Sequence, residues 1–468
     1  MMSTGLLVET INKLNDQADY RAALDLVLPV LNDGTEDYAA WIGAGNAYYG
    51  LRRFDEAKRA YLKAAELNSD DVVALSNLAG VLFETAEYDE GLEICDRVLK
   101  CQPDYVNALI HRGNMLSSLN RYPEAEDAYR KASEKDPDDV LVLFNMANVL
   151  TMTGKYDEAE AIYERLLKIA PEDVEYLFAF ASFWEKREAF DKAAEIYLRL
   201  LQIRQEDVTH ITLSGCLYNL LLQGKTDRVM ELTDEWLTLF PDNPAALHTL
   251  ETLKNSKEVR RASPAYVQEL FDAFADSFDS VLEGLDYQAP ALIAEAVKKL
   301  CFDRPPAVLD LGCGTGLCAA AIKEKGVETA SLTGIDLSAG MLEKAGKRGL
   351  YASLRQADIT TVLPTLAERF DLVVCADVLT YLGDLSAVFS GLSGVIDAGG
   401  RLVFTVSENT ENDADYTMEL SGRFMHSQKY VRTLLEQNGF DAGEARSVEL
   451  RQELGRPVKG LLFVAGKR

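Results

Sequence analysis

Small and aromatic side chains return along the first half of the chain at a fixed interval. Gly45, Ala79, Gly113, Ala147 and Ala181 stand 34 residues apart. On the same register Phe54, Tyr88, Tyr122, Tyr156 and Phe190 are followed by Ala57, Gly91, Ala125, Ala159 and Ala193, and then by Tyr61, Cys95, Tyr129, Tyr163 and Tyr197. Prolines close the later units at Pro103, Pro137, Pro171 and Pro241. The interval predicts helix pairs: small residues let the two helices approach, and aromatics fill the groove to the next pair. A degenerate opening unit surrounds Tyr20, Ala23 and Val27, a further unit drifts at Ile211–Leu222, and an amphipathic helix near Pro244–Leu253 is expected as a cap. Because the Tyr and Phe recur at the packing positions of every unit, they read as core and not as a ligand stripe.

The second half has a different rhythm. The apolar run Ala307-Val308-Leu309 ends in Asp310, and Gly312, Gly314 and Gly316 follow at every second position before a helical pattern from Leu317 to Ile322. This predicts a buried parallel strand, a turn only glycines can make, and a helix N-terminus facing a ligand. Leu317 occupies the place where a dinucleotide fingerprint needs its third glycine, and the Gly-Lys-Ser/Thr ending of a P-loop is absent. Ser331–Asp336 reads as a second strand ending in an acid, 20 residues past Gly316, with Leu337, Ser338 and Met341 opening the next helix. Leu354–Ile359, Phe370–Asp377 and Gly399–Val406 supply three more strands. Upstream, Tyr266–Asp279 sets aromatics on a helix, with Tyr287 after a turn.

The first-half array resembles the tetratricopeptide repeat (TPR). Asp310-Leu311-Gly312-Cys313-Gly314-Thr315-Gly316, followed by the later motifs in order, resembles the class I S-adenosylmethionine (SAM) methyltransferases. The whole chain is similar to bacterial TPR–methyltransferase fusions. The resemblance implies an α-solenoid over 1–255, a linker over 256–265, and over 266–468 an α/β Rossmann-like domain with a seven-stranded, mostly parallel sheet. It implies SAM as cofactor, with Asp310, Gly312, Gly314 and Gly316 around the loop, Asp336 on the ribose hydroxyls, Leu337 and Met341 on the adenine, and Asp358 and Ile359 on its far edge. Tyr266, Phe274, Phe278 and Tyr287 are expected on the cofactor side of a closing helix, and Asp377 where cofactor and substrate meet. Tyr381 and His426 are the catalytic candidates, His426 as a general base because it is the only imidazole in that half. Arg423, three residues before it, is suited to a substrate carboxylate or to a structural acid.

Composition narrows the partners. The net charge is −27, with 25 Lys/Arg against 45 Asp/Glu before residue 256 and 23 against 30 after it. So acidic a first half disfavours nucleic acid and anionic membranes. Seven scattered cysteines without a C-x-x-C pair argue for a reducing cytoplasm and against both a disulfide framework and a zinc site, and no metal is expected. No signal peptide or apolar run of bilayer length is apparent, so a cytoplasmic location is expected. No Asn/Asp-Pro-Pro-Tyr follows the fourth strand and no Pro-Cys nucleophile is present, which disfavours base methylation. Two functions remain. The first is a methyltransferase whose solenoid recruits a protein, peptide or carrier-bound substrate. The second is an interaction scaffold with a regulatory or inactive SAM domain. A homodimer is compatible with either, and nothing in the sequence sets the acceptor atom.

Overall fold

The computed structural model describes residues 4–33, 36–69, 71–254, 259–410, 414–441, 443–453 and 456–468. The chain forms two compact units, Met1–Phe183 and Trp184–Arg468.

The first unit is built of helix pairs, from Thr4–Asp16 with Tyr20–Asn32 to Val140–Met152 with Tyr156–Ile169. Aspartates start the first helices of several pairs: the carboxylates of Asp37, Asp71 and Asp139 accept backbone N–H groups of the opening turn. The recurring aromatics are core, as expected. Tyr61, Tyr129 and Tyr163 are buried, and their hydroxyls donate to Asn46, Asn114 and Asn148 at 2.7, 2.6 and 2.6 Å. A Cβ on Gly45 would lie 2.4 Å from the Tyr61 ring, so a small residue there is a packing requirement.

The turn between the helices of each pair carries a mark the composition hides. Ala18, Arg52, Ala86, Asn120, Gly154 and Glu188 all have φ between 57 and 76°, and they keep the same interval of 34 residues. The degenerate opening unit therefore turns like the others. Gly224, next in the series, also has a positive φ and sits two residues late, in the unit whose drift the sequence shows.

The second unit begins with the helices Phe190–Ile203, Asp207–Leu222, Thr226–Leu239 and Pro244–Lys254, and continues into an α/β domain. Its strands are β1 (Ala307–Leu311), β2 (Ser331–Asp336), β3 (Ser353–Gln356), β4 (Phe370–Cys375), β5 (Ile396–Glu408), β6 (Tyr416–Met418), β7 (Phe424–His426), β8 (Glu444–Glu453) and β9 (Arg456–Gly466). Parallel pairing runs β3-β2-β1-β4-β5; β9 adds antiparallel to β5, and β8 to β9. The sheet is mostly parallel, as expected, but has nine strands among the described residues instead of seven. The β6–β7 hairpin is extra, hung on the end of β5 through Ser407↔Met425 and Glu408↔His426. Arg451–Glu453 finish β8 and Arg456–Val458 begin β9, while Leu454 and Gly455 lie outside the described residues.

Apolar side chains cover both sheet faces, one cluster including Leu309, Val373, Phe389 and Phe463, the other Ile293, Val308, Ile322 and Val374. β1 lies between β2 and β4, the point where strand order reverses, and a crevice opens there at the carboxyl ends of the strands. Of the expected linker, Ser256, Lys257 and Glu258 lie outside the described residues. Its second part is strapped to the domain, with Ala262 N–H donating to Tyr381 O and the Gly383 N–H to Arg260 O. The expected capping helix is itself covered: Pro244–Lys254 packs under Pro264–Phe274, and His248 stacks on Tyr266 with ring centroids 4.1 Å apart.

Candidate functional site

β1 delivers its chain end into a loop whose backbone bends at Gly312, Gly314 and Gly316, with φ of 71, 52 and 89°. Gly312 and Cys313 donate N–H to Ile335 O, tying the loop to β2. A Cβ on Gly312 would stand 2.3 Å from Val378, so β1 and β4 can meet here only through a glycine. The loop borders a cavity of about 190 Å³.

Of the residues singled out in the sequence, Phe278, Tyr287, Gly312, Gly314, Asp336, Leu337, Asp358, Ile359, Asp377 and Tyr381 line this cavity. Asp336 holds its carboxylate across the loop, Oδ2 accepting from Gly314 N–H at 2.8 Å and Oδ1 from Ser338 N–H at 2.9 Å. Burial pushes its pKa up, opposed by those N–H groups. Asp358 accepts from Thr360 N–H and from Arg261 Nη2 at 2.7 Å. Burial opposes its charge, but the Thr360 and Arg261 hydrogen bonds prevail and hold its pKa low. Asp377 has φ of 57° at the end of β4, where a non-glycine residue is strained. Arg451 Nη1 donates to its Oδ2 at 2.5 Å.

Six expected residues stand elsewhere. Asp310 is sealed behind the loop, accepting the Tyr351 hydroxyl at 2.6 Å, and burial raises its pKa to about 7. Gly316 caps the helix Leu317–Glu324 beside Arg348 and Tyr351. Met341 is core, Phe274 is exposed, and Tyr266 faces His248. The aromatic segment before β1 does face the cavity, through Phe271 and Phe278, but it is two helices, Pro264–Phe274 and Phe278–Gly284, joined by a turn, and Phe274, the last residue of the first, is left exposed. Its aspartates fasten it down: Asp272 accepts from Ser338 Oγ and Gly340 N–H, Asp276 pairs with Lys344, and Asp279 binds Thr315 Oγ1 and Arg348.

His426, the sixth, does not line the cavity. It is fully buried in β7, its Nε2 2.8 Å from Leu382 O, and burial takes its pKa down to about 4. An imidazole so placed keeps its Nε2 proton on a backbone carbonyl and holds the hairpin against residues 382–383.

Sequence reasoning missed Phe271 and Arg261. Phe271 was present in the aromatic segment, but that segment folds as two helices, so its spacing alone did not separate Phe271 from Phe274. Arg261 sat in a polar linker without any periodic signal. Among the described residues, no group of three or more His, Cys, Asp or Glu is arranged for a metal, and no helix is long and apolar enough to cross a membrane.

Comparison with known proteins defines the class. Residues 308–400 match the family model for a methyltransferase domain, and residues 42–106 and 116–182 match two tetratricopeptide repeat families. The ubiquinone biosynthesis O-methyltransferase of Pseudomonas fluorescens (strain Pf0-1) is 30% identical over 137 residues, 27% of this chain and 58% of that protein. Aklanonic acid methyltransferase DauC of Streptomyces sp. (strain C5) is 28% identical over 145 residues, 30% of this chain and 64% of that protein. The chain thus spans about three fifths of the length of these curated relatives, 58% and 64%. A solved thermophilic TPR protein from Thermus thermophilus is 20% identical, with a TM-score of 0.34 over 38% of this chain and 97% of that one. The α/β domain is a methyltransferase domain whose methyl donor is S-adenosylmethionine. The chain thus joins a methyltransferase domain to a region of tetratricopeptide repeats, modules that generally mediate protein–protein interaction.

Proposed function

We propose that this chain transfers the methyl group of SAM to an acceptor brought to it on a protein, peptide or carrier by the repeats. The observation that carries the reading is the cavity bordered at once by the glycine loop, Asp336, Asp358 and Tyr381. These residues fit an adenosyl sulfonium. Each Asp336 oxygen accepts one backbone N–H and keeps a lone pair for a ribose hydroxyl. Leu337 and Ile359 offer apolar contact to a purine between them, and Asp358, fixed by Arg261, is an acceptor for an exocyclic amine. When bound, SAM supplies an already activated methyl for in-line displacement.

The work left to the protein is orientation and exclusion of water. Phe271 and Phe278 cover one side, and Tyr381, whose ring meets Phe271 at 5.5 Å, stands at the end of β4 where an acceptor would approach. With His426 sealed, Tyr381 is the remaining proton-carrying candidate of the two. Names of the relatives support oxygen as the acceptor atom, since the ubiquinone enzyme is an O-methyltransferase.

Calorimetric titration of the full chain with SAM tests the cavity, and tritiated-methyl labelling of source-cell extract tests transfer. Saturable binding with a labelled product is expected. Binding without any labelled product would leave an interaction scaffold.

A further inference from the structure

The cavity has a second polar end. Arg423, in the turn of the β6–β7 hairpin, and Arg451, near the end of β8, both line it, while the acids Glu453 and Glu419 beside them do not. Glu453 Oε1 accepts from Arg451 Nε at 2.7 Å and from Arg423 Nη1, and Asp377 accepts from Arg451 Nη1. Among the described residues these bonds use three of the ten N–H groups that two guanidiniums carry. Among the described residues, no guanidinium nitrogen of either arginine is both buried and unpartnered. The acids act as a brace: Glu453 and Asp377 fix the planes of two cations that line the cavity together with Phe271, Leu382 and Tyr381.

The position of this end matters. Asp336 ends β2, and Arg423 leads into β7, with β1, β4 and β5 between the two strands. Phe271, Leu382 and Tyr381 wall the space next to the arginines. Tyr218, from the repeat helix Asp207–Leu222, senses Glu453, Glu419 and both arginines electrostatically, so the last repeat helices stand against the same cluster.

We infer that Arg423 and Arg451 form an acceptor subsite for a carboxylate on an apolar, ring-sized organic acid, holding it while a neighbouring atom receives the methyl group. The inference rests on the methyltransferase reading above. A braced, planar pair of guanidiniums suits a carboxylate because two parallel N–H···O bonds satisfy both oxygens at once. The same chemistry could serve the carboxylate of the cofactor's own methionyl end, and the experiment separates the two sources.

The test uses the full chain, wild type and the double variant Arg423→Gln/Glu453→Gln, which removes one charge of each sign and keeps a hydrogen-bonding pair. Arg423→Gln alone serves as the second variant. Calorimetry is run first with SAM and with 5′-methylthioadenosine, which lacks the methionyl end. The complex with S-adenosylhomocysteine is then titrated with benzoate and with its neutral isostere benzamide. The wild type is expected to prefer benzoate by about tenfold, the worth of one charge-assisted hydrogen bond. Either variant is expected to lose that preference while SAM and methylthioadenosine affinities stay within about twofold of wild type. Equal binding of benzoate and benzamide, or no binding of benzoate at millimolar concentration, overturns the inference. So does a fall in SAM affinity with methylthioadenosine unchanged, which assigns the arginines to the cofactor. Failure of wild type to bind SAM at all would instead sink the methyltransferase reading.

Discussion

The imidazole of His248 lies 4.1 Å from the phenol ring of Tyr266, nearly parallel at 21°, so a repeat-derived helix and the first helix of the methyltransferase domain share one buried contact. On its other side His248 meets Gly422, where an added Cβ would come within 2.2 Å of Nε2. Among the described residues neither ring nitrogen has a side-chain partner, and burial takes the pKa down to about 4. His248→Ala removes a nearly fully buried ring and is expected to destabilise the second unit by about 2–4 kcal/mol. Chemical denaturation would read this as a lower midpoint at unchanged m-value. A truncated chain starting at residue 256 exposes the same Tyr266 face and is expected to aggregate or melt early.

Glu269, on the same helix as Tyr266, has a buried oxygen without a partner among the described residues, and burial followed by the charge of Asp207 raises its pKa to about 7. The folded pKa lies above the unfolded one, so this carboxyl costs nothing below its unfolded pKa and weakens the fold as pH rises through about 7. Glu269→Gln is therefore expected to stabilise more at pH 8 than at pH 5, by on the order of 1–2 kcal/mol after allowing for partial solvent screening. A constant difference across that range would contradict it.

Asp336→Ala deletes both acceptors offered to a ribose diol. SAM binding is expected to weaken by about 2–3 kcal/mol, or about 30- to 150-fold, in a calorimetric titration. An affinity within about threefold of wild type would remove Asp336 from the cofactor site.

Phe271 and Phe274 offer an internal control on one helix. Phe271 lines the cavity and Phe274 is 38% exposed. Phe271→Ala is expected to lower SAM affinity by about tenfold, and Phe274→Ala to leave it unchanged, with little change in melting temperature. The reverse order would show that Phe274, and not Phe271, meets the cofactor.

The repeat turns hold left-handed residues that are not glycine. Ala86 has φ of 58°, a conformation in which a Cβ costs about 1 kcal/mol. Ala86→Gly is expected to stabilise by about 0.5 kcal/mol or more, read as a higher melting temperature, because relief of strain exceeds the added entropy of the unfolded chain. Ala86→Val should do the opposite.

The sequence by itself determined much of this protein. The 34-residue interval and the glycine-bent crossing are local signals, because helix and strand pack through side chains at fixed spacings. The same locality made Gly312, Gly314, Asp336, Asp358 and Asp377 legible as a set.

Tertiary structure alone decided which aromatic residues face the cavity and what became of His426 and Asp310. A helix position names a face only once the neighbour is known, so Tyr266 and Phe274 looked no different from Phe271. An imidazole or a carboxylate takes its role from burial and partners. His426 lost its proton chemistry to the carbonyl of Leu382, Asp310 became the acceptor for Tyr351, and Arg423 and Arg451 met only because β8 and the β6–β7 hairpin both hang from the far side of β5. Contacts between residues so distant in the chain leave no spacing to read, since the geometry that joins them exists only after the sheet has formed.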